Sequence, residues 1–221
     1  MAERKPLGRA WVLAASAAIA VGVGGGAAFA LTHRGGASSR TVSPVAGRAN
    51  VVWPAAKRRA PDFALRDQTG APISLRGNRG RVVILTFIDP VCTTLCPLEA
   101  KTLDRVEQNL SGVERPAIVA VSVNPWGDAG RYFQADARKW RLPASWRWAV
   151  GSRAQLSRVW QAYSIGVRIR RFRAVGITTH RVDHTEAAYV IDRRGFERAL
   201  FVYPFSAGDV ENTVRQLEHS A

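Results

Sequence analysis

A buried strand that leads into the only two cysteines of the chain is the feature that most constrains the fold. Residues 81–88 form a continuous apolar, β-branched run, which is typical of a strand covered on both faces of a sheet. The loop that follows contains residues 92–97, Cys-Thr-Thr-Leu-Cys-Pro. Because proline has no backbone N–H, it is favoured in the first turn of a helix, so Pro97 predicts that a helix begins near Cys96. The sequence therefore predicts a strand, a short loop with both thiols, and a helix.

Cys92 and Cys96 are predicted to be chemically active. The unpaired amides of a helix start stabilise a thiolate, and Cys92 lies only four residues before Cys96. Two thiolates from one short loop form a chelate for a soft metal ion, which favours Cu(I), with zinc and iron as competitors. Disulfide exchange and a structural disulfide are the alternative roles of such a pair.

The first quarter of the chain is predicted to lie outside the folded domain. Residues 10–31 carry no charged side chain, and at about 1.5 Å per residue this segment spans a hydrocarbon core of roughly 30 Å. The basic residues within 1–9 predict a cytoplasmic N-terminus and a domain on the extracytoplasmic side of the cell membrane. Residues 28–30, Ala-Phe-Ala, also fit a signal-peptidase site. Residues 10–31 are therefore either a single-pass transmembrane anchor or a signal peptide cleaved after Ala30.

A flexible tether is predicted after residue 31. Residues 32–59 contain Gly-Gly, Ser-Ser and Ser-Pro pairs and lack the period of a helix or strand, which is typical of such a segment.

The chain has 32 basic and 17 acidic residues, a net charge of +15. The export signal and the lack of a groove-reading motif argue against nucleic acid. The charge instead favours an acidic protein or the membrane surface.

Residues 60–221 show the pattern of a folded domain. A hairpin is predicted first, with a glycine turn between residues 63–66 and 72–75. After the strand and helix around the cysteines, the predicted elements are strands at 117–123 and 146–150, helices at 128 to about 140 and around 156–163, a hairpin of 187–192 and 197–203, and a closing helix at 210–217. This order predicts an α/β fold, a thioredoxin-like sandwich with an added N-terminal hairpin.

His180 and His184 are the candidates for a third metal ligand, because two thiolates alone rarely complete a copper site. In a thioredoxin-like sheet, the loop that leads into the strand after them passes beside the thiol loop. Their spacing alone does not choose between them. Asp183 lies between the two and is predicted to orient an imidazole by a hydrogen bond. His33 in the tether and His219 near the C-terminus are predicted to be solvated.

At this point the residues resemble a known family. Residues 86–97, Thr-Phe-Ile-Asp-Pro-Val-Cys-Thr-Thr-Leu-Cys-Pro, resemble the copper loop of the Sco/SenC family, the membrane-tethered copper chaperones of cytochrome oxidase assembly. Residues 182–185, Val-Asp-His-Thr, followed by Tyr-Val-Ile-Asp at 189–192, are similar to that family's Asp-His-Ser and Tyr-Leu-Ile-Asp block. Residues 122–128 echo its Ser-Val-Asp-Pro segment. The resemblance extends over residues 61–217, in the expected order.

The resemblance implies a copper site. Its ligands, carried over position by position, are Cys92, Cys96 and His184, which decides between the two histidines. The bound ion is expected to be Cu(I), Cu(II) or both. The sequence departs from the family pattern at Thr93, where proline is usual, and at Thr94, where an acidic residue is usual.

The resemblance also implies the function of a metallochaperone rather than an enzyme. Such a protein delivers copper to the copper-A site of cytochrome c oxidase subunit II. The alternative is a thiol-disulfide oxidoreductase that uses Cys92 and Cys96 to reduce the acceptor's cysteines. Redox members of this fold carry Cys-x-x-Cys and a proline in the opposite loop, whereas this spacing is one residue longer and residues 169–187 contain no proline. The basic segment 168–179 either attracts an acidic acceptor to the site or is a solvated strand edge.

Overall fold

The computed structural model of the protein describes residues 48–110, 112, 115–128, 135, 138–140 and 144–219. The predicted N-terminal segments 1–9 and 10–31, and residues 32–47 of the predicted tether, lie outside the described residues. Most of the helix predicted from residue 128 to about 140 also lies outside them. Within the described part of the chain, every helix is too short or too polar to cross a membrane.

The described residues form an α/β domain. Its strands are β1 (Val51–Val52), β2 (Leu65–Arg66), β3 (Pro72–Ile73), β4 (Val83–Ile88), β5 (Ala117–Ser122), β6 (Arg147–Ala149), β7 (Val167–Ala174), β8 (Ile177–His184), β9 (Ala187–Ile191) and β10 (Glu197–Val202). Its helices are α1 (Cys96–Asn109), α2 (Arg153–Ala162) and α3 (Ala207–His219). One turn of 3-10 helix, Arg76–Asn78, follows β3.

The central sheet has the strand order β1-β10-β9-β4-β5-β6. β4, β5 and β6 are parallel, whereas β9 and β10 form an antiparallel hairpin beside β4. Every residue of β4 is buried, because β4 is paired on both edges and covered on both faces. This explains its unbroken apolar, β-branched sequence.

One hydrophobic cluster lies on each face of this sheet. α1 and α3 cover one face with Leu103, Val106, Val210 and Val214. α2 and the small β2–β3 hairpin contribute to the cluster on the other face. This arrangement confirms the predicted α/β sandwich with an added N-terminal hairpin.

The predicted tether needs a correction at its C-terminal end. Residues 48–59 are part of the folded domain, because Val51 and Val52 pair with β10 as an edge strand. Arg58 forms an ion pair of 2.6 Å with Glu197, whose side chain is fully buried. Two β-branched residues and a buried carboxylate that needs a counter-charge outweigh the linker-like composition around them.

The hairpin β7–β8 was not predicted at all. Its eight pairs form a two-stranded sheet apart from the central one. The turn at its tip has positive φ angles at Val175 (49°) and Gly176 (76°), as a type I′ turn requires. Val167 and Ile169 pack against the hydrophobic cluster, while Arg168 and Arg170 are exposed. This alternation was the period-two signal of a strand, hidden by the high arginine content.

The ion pair of Arg58 predicts a stability effect far from the cysteines. Replacing Arg58 by Ala should leave the Glu197 carboxylate buried without its partner, and should lower the free energy of unfolding by about 2–3 kcal/mol. The measurement is urea unfolding of the full-length protein in a mild detergent. Lys57→Ala, at the exposed neighbouring residue, is the control and should change stability by less than about 0.5 kcal/mol. Equal effects of the two substitutions would contradict this anchoring role.

Candidate metal centre

The loop after β4 is fixed by a buried carboxylate. Asp89 is 6% exposed, and its Oδ1 accepts hydrogen bonds from the backbone N–H of Val91 and the side-chain amide of Asn124, both at 3.0 Å. The backbone N–H of Cys92 donates to the carbonyl of Asp89 at 3.1 Å. Asn124 follows β5, the parallel neighbour of β4. The cysteine loop is therefore tied to the same end of two adjacent strands.

The second cysteine starts helix α1, as predicted. Pro97 occupies the first turn, where its missing N–H costs nothing. Cys96 is completely buried, whereas Cys92 is partly exposed. The two thiols differ in access although they belong to one loop.

His184 lies beside the buried thiol. Its Nε2 is 3.3 Å from Cys96 Sγ. Its Nδ1 is 3.1 Å from the carbonyl oxygen of Thr185, to which it can donate its proton. With the proton on Nδ1, the Nε2 lone pair faces Cys96 Sγ and is available to a metal ion.

His180, the other candidate, lies elsewhere. Its ring stacks on the indole of Trp126, with centroids 3.8 Å apart and an angle of 7° between the planes. The structure thus places His184, and not His180, next to Cys96.

Asp183 does not have the position that was predicted for it. Its carboxylate pairs with Arg170 across the hairpin and with Arg181 at 3.6 Å, and it is directed away from the imidazole. The reason is that consecutive residues of a strand point to opposite faces, and both Asp183 and His184 belong to β8. The carbonyl of Thr185 takes the orienting role that was assigned to Asp183.

Glu186 is a member of the cluster that the sequence reasoning missed. Its Oε1 lies 3.2 Å from His184 Nε2 and 3.5 Å from Cys96 Sγ. One carboxylate oxygen of Glu186 and the sulfur atoms of Cys92 and Cys96 all lie within 4.8 Å of one another. The available signal was a charged residue placed directly before the buried apolar strand β9.

Glu99 lies behind Glu186 and was also missed. Its side chain is completely buried, and Thr86 Oγ1 donates a hydrogen bond of 2.6 Å to it. Burial, and then the nearby Glu186 carboxyl, raise the pKa of Glu99 well above its usual value. In its protonated form, Glu99 can donate a hydrogen bond to Glu186. Its position three residues after Cys96 on α1 was the signal, since such residues share a helix face.

The two thiols share one negative charge in the metal-free protein. A hydrogen bond from Cys96 lowers the pKa of Cys92 to about 4. The pKa of Cys96 is raised, first by that same hydrogen bond, then by burial and by the charge of Glu186. Cys92 is consequently the thiolate, and Cys96 keeps its proton until metal binding or oxidation removes it.

The donor set suits a soft metal ion. Two sulfur atoms and an imidazole nitrogen are the ligands that Cu(I) and zinc prefer. All of them come from rigid elements or from the anchored loop, and a hydrogen bond from His184 Nδ1–H to the Thr185 carbonyl would leave Nε2 free for the ion. The cluster therefore fits a metal ion without a rearrangement of the fold.

Comparisons with known proteins bear on the family and on the fold. The family model SCO1/SenC matches residues 54–219. ScoI of Bradyrhizobium japonicum with copper bound is 17% identical, with a TM-score of 0.62 over 72% of this chain and 99% of that chain. Yeast Sco1 with copper bound is 16% identical, with a TM-score of 0.65 over 74% and 90%. Apo Sco1 from Thermus thermophilus is 23% identical, with a TM-score of 0.59 over 80% and 96%. A comparison with curated proteins finds no match.

The fold and the site define a thioredoxin-like protein with two thiols and an imidazole at one end of its sheet. The predicted thioredoxin-like class is confirmed by the folds of the three solved structures. Since the family match covers most of the chain, the protein belongs to the SCO1/SenC family.

The shared charge of the thiols predicts an unusual pH profile. Because the folded-state pKa of Cys92 is lowered to about 4, its thiolate is present above that pH and is lost as the pH falls through it. The rate of alkylation of Cys92 in the metal-free, reduced protein should therefore change little between pH 5 and pH 7, once any pH dependence of the reagent itself has been subtracted. Iodoacetamide labelling followed by peptide mass spectrometry measures this rate.

Cys96→Ala is the matched variant for this experiment. It removes the donor of the hydrogen bond, so the pKa of Cys92 should return toward its usual value. Alkylation at pH 6 should then slow by at least about tenfold. A wild-type profile that rises only above pH 8 would contradict the shared charge.

Proposed function

We propose that this protein binds copper through Cys92, Cys96 and His184 and delivers it to the copper-A site of cytochrome c oxidase subunit II. The observation that carries the proposal is the imidazole Nε2 at 3.3 Å from Cys96 Sγ, beside a second thiol of the same loop. Family membership supports the copper specificity, and the copper-bound relatives have the same fold. The acceptor follows from the resemblance to the copper chaperones of oxidase assembly.

The unequal exposure of the ligands supports transfer rather than permanent storage. Copper passes between proteins when ligands of the acceptor replace those of the donor one at a time. Cys92 is partly exposed, whereas Cys96 and the side chain of His184 are buried. An incoming thiolate would therefore displace Cys92 first, and the buried pair would release the ion last.

A basic surface next to the site supports an acidic acceptor. Arg168, Arg171 and Arg173 are exposed on β7, the strand that pairs with the strand ending in His184. Positive potential beside the ligands raises the rate of encounter with a negatively charged partner. Since side chains alternate along a strand, Arg168 projects from one face of the hairpin and Arg171 and Arg173 project from the other. We name the three residues together the basic hairpin.

The predicted N-terminal segment supplies the location. If residues 10–31 form a single-pass anchor, the domain works at the extracytoplasmic face of the cell membrane, where oxidase subunits are metallated. A protein cleaved after Ala30 would work in the same compartment without the anchor.

Disulfide exchange remains the competing function. It accounts for the lowered pKa of Cys92, which is typical of attacking thiols. It does not account for an imidazole directed at the second sulfur atom. Copper binding explains both features, so we favour it.

The ligand assignment predicts a contrast between the two histidines. His184→Ala should weaken Cu(I) binding by about tenfold or more, which is roughly 1.4 kcal/mol, because one of three ligands is lost. His180→Ala is the matched control, since that ring stacks on Trp126, and its affinity should stay within about threefold of the wild type. The measurement is an anaerobic Cu(I) titration of the reduced full-length protein in detergent against a competing chelator.

Two outcomes would contradict the proposed copper site. Equal affinities of wild type and His184→Ala would remove His184 from the ligand set. No competitive binding by the wild type, with thiols that still equilibrate with a dithiol redox buffer, would establish a disulfide reductase instead.

The basic hairpin predicts a salt-dependent transfer rate. Transfer of copper to the metal-free soluble domain of subunit II, followed by the absorbance of copper-A, should slow as ionic strength rises, since charges are screened over about 10 Å at 0.1 M salt. Replacing Arg168, Arg171 and Arg173 by Ser should slow transfer several-fold at low salt, with unchanged Cu(I) affinity. Arg105→Ser, at an exposed position on α1, is the control. A triple variant as fast as wild type would exclude these three arginines from the encounter.

A further inference from the structure

Glu186 occupies a position that the three-ligand site leaves unexplained. It lies in the two-residue connection between β8 and β9, and its side chain is only 10% exposed. Its carboxylate is directed inward, toward Cys96 and His184, and not toward the solvent. Burial of a carboxylate is costly unless a partner compensates it, so this orientation calls for a reason.

The metal-free structure offers this carboxylate little compensating charge. Among the described residues, the only basic side chain within ion-pair distance is His184, through Nε2. That nitrogen is also the atom that a metal ion would take. Once Nε2 binds a metal ion, the carboxylate of Glu186 faces that ion directly.

The distances place the Glu186 oxygen within reach of the same ion. Ligand atoms at about 2.0–2.3 Å from one metal ion lie at most about 4.6 Å from one another. The Glu186 oxygen and the two sulfur atoms lie within 4.8 Å of one another before any ion binds. The same oxygen is 3.2 Å from His184 Nε2. The Glu186 oxygen thus lies within reach of an ion held by the two thiols and close to the imidazole nitrogen.

Glu99 holds Glu186 in this place. Its carboxyl accepts a hydrogen bond from Thr86 and lies next to the carboxyl of Glu186. A hydrogen bond from Glu99 to one carboxylate oxygen leaves the other oxygen free to bind. Second partners of this kind commonly orient metal-binding carboxylates.

The chemistry of the added donor determines which oxidation state of copper is bound more tightly. Thiolate and imidazole satisfy Cu(I) with three ligands. A carboxylate oxygen is a hard ligand that suits Cu(II), which prefers four donors and carries the larger charge. In a site with two thiolates, a third anion also favours the more highly charged ion by Coulomb attraction.

We propose that Glu186 is a fourth, oxygen ligand of this copper site that acts on Cu(II) and contributes little to Cu(I). This inference rests on the proposed copper binding by Cys92, Cys96 and His184. It assigns Glu186 the role of setting the relative affinity for the two oxidation states. The protein would then hold Cu(II) through four side chains and Cu(I) through three.

The test compares both oxidation states in one variant. Glu186→Gln keeps the shape of the side chain and removes its charge. We expect it to lower the Cu(II) affinity by tenfold or more and to leave the Cu(I) affinity within threefold. For this one-electron couple, a tenfold difference raises the reduction potential by about 59 mV. Chelator competition for each ion, with the full-length protein in detergent, gives the two affinities, and a thiol assay afterwards verifies that Cu(II) has not oxidised the cysteines.

Glu211→Gln is the matched control. Glu211 is also mostly buried, but it contacts Asn109 at the far end of α1, about 20 Å along the helix from Cys96. Both copper affinities should stay within threefold of wild type in this control. Equal losses for Cu(I) and Cu(II) in Glu186→Gln, or no loss for either, would overturn the proposal.

A second measurement does not depend on the folding of a variant. Wild-type protein labelled with ¹³C at the side-chain carboxyl of glutamate is loaded with Cu(II) and studied by pulsed EPR. A resolved ¹³C hyperfine coupling is expected for a carboxylate bound to the ion, and its absence would overturn the proposal. Failure of the ligand proposal leaves wild-type Cu(I) binding intact, whereas failure of the proposed function removes that binding or the transfer to subunit II.

Discussion

The pairing of β4 with β9 is the constraint on which the site depends. The two strands are antiparallel, with Val83 opposite Ile191 and Thr86 opposite Ala188. This register brings the end of β4 to the beginning of β9, so the cysteine loop and the segment from His184 to Glu186 meet although 88 residues separate Cys96 from His184. A slip of one residue would turn every side chain of β9 to the other face of the sheet, so that Tyr189 and Ile191 would enter the cluster that Ala188 and Val190 now fill. The hydrophobic burial of β4 and β9 therefore also fixes the geometry of the donors.

A set of buried polar contacts keeps that end of the sheet rigid. Thr86 binds Glu99, Asn124 binds Asp89, and the carbonyl of Thr185 accepts from His184. The first two contacts join different elements and the third orients the imidazole from the next residue, and each satisfies a group that would be costly to bury alone. Because the partners are already in place, metal binding needs to order few side chains, and less binding free energy is lost to conformational entropy.

The sequence was sufficient to predict the central sheet but not the residues that surround His184. Apolar periodicity located β4, α1 and the β9–β10 hairpin, since these elements are buried in regular patterns. β8 was missed, and with it the reason why Asp183 points away from the site. His180 and His184 lie on the same face of β8, so alternation cannot separate them; they differ in that His180 lies about 13 Å farther along the strand, beside Trp126. That difference depends on tertiary packing, which spacing in the sequence does not contain. Glu186 was missed for the same reason, because only the β4–β9 register brings it to the thiols.

The β7–β8 hairpin contributes both His184 to the site and exposed arginines to the surface of the protein. Its inner side chains, Val167, Ile169 and Val182, pack against the hydrophobic cluster, so the strand that ends in His184 cannot move freely. The arginines that alternate with Val167 and Ile169 must then face outward, and Asp183 neutralises only part of their charge. Positive charge is consequently held at a constant distance from a cluster of thiols and carboxylates that is itself negative. Screening over about 10 Å lets a partner at the surface experience mainly the positive arginines, while an ion in the site experiences mainly the anionic ligands. One hairpin thus allows a strongly basic protein to keep an anionic site for a cation.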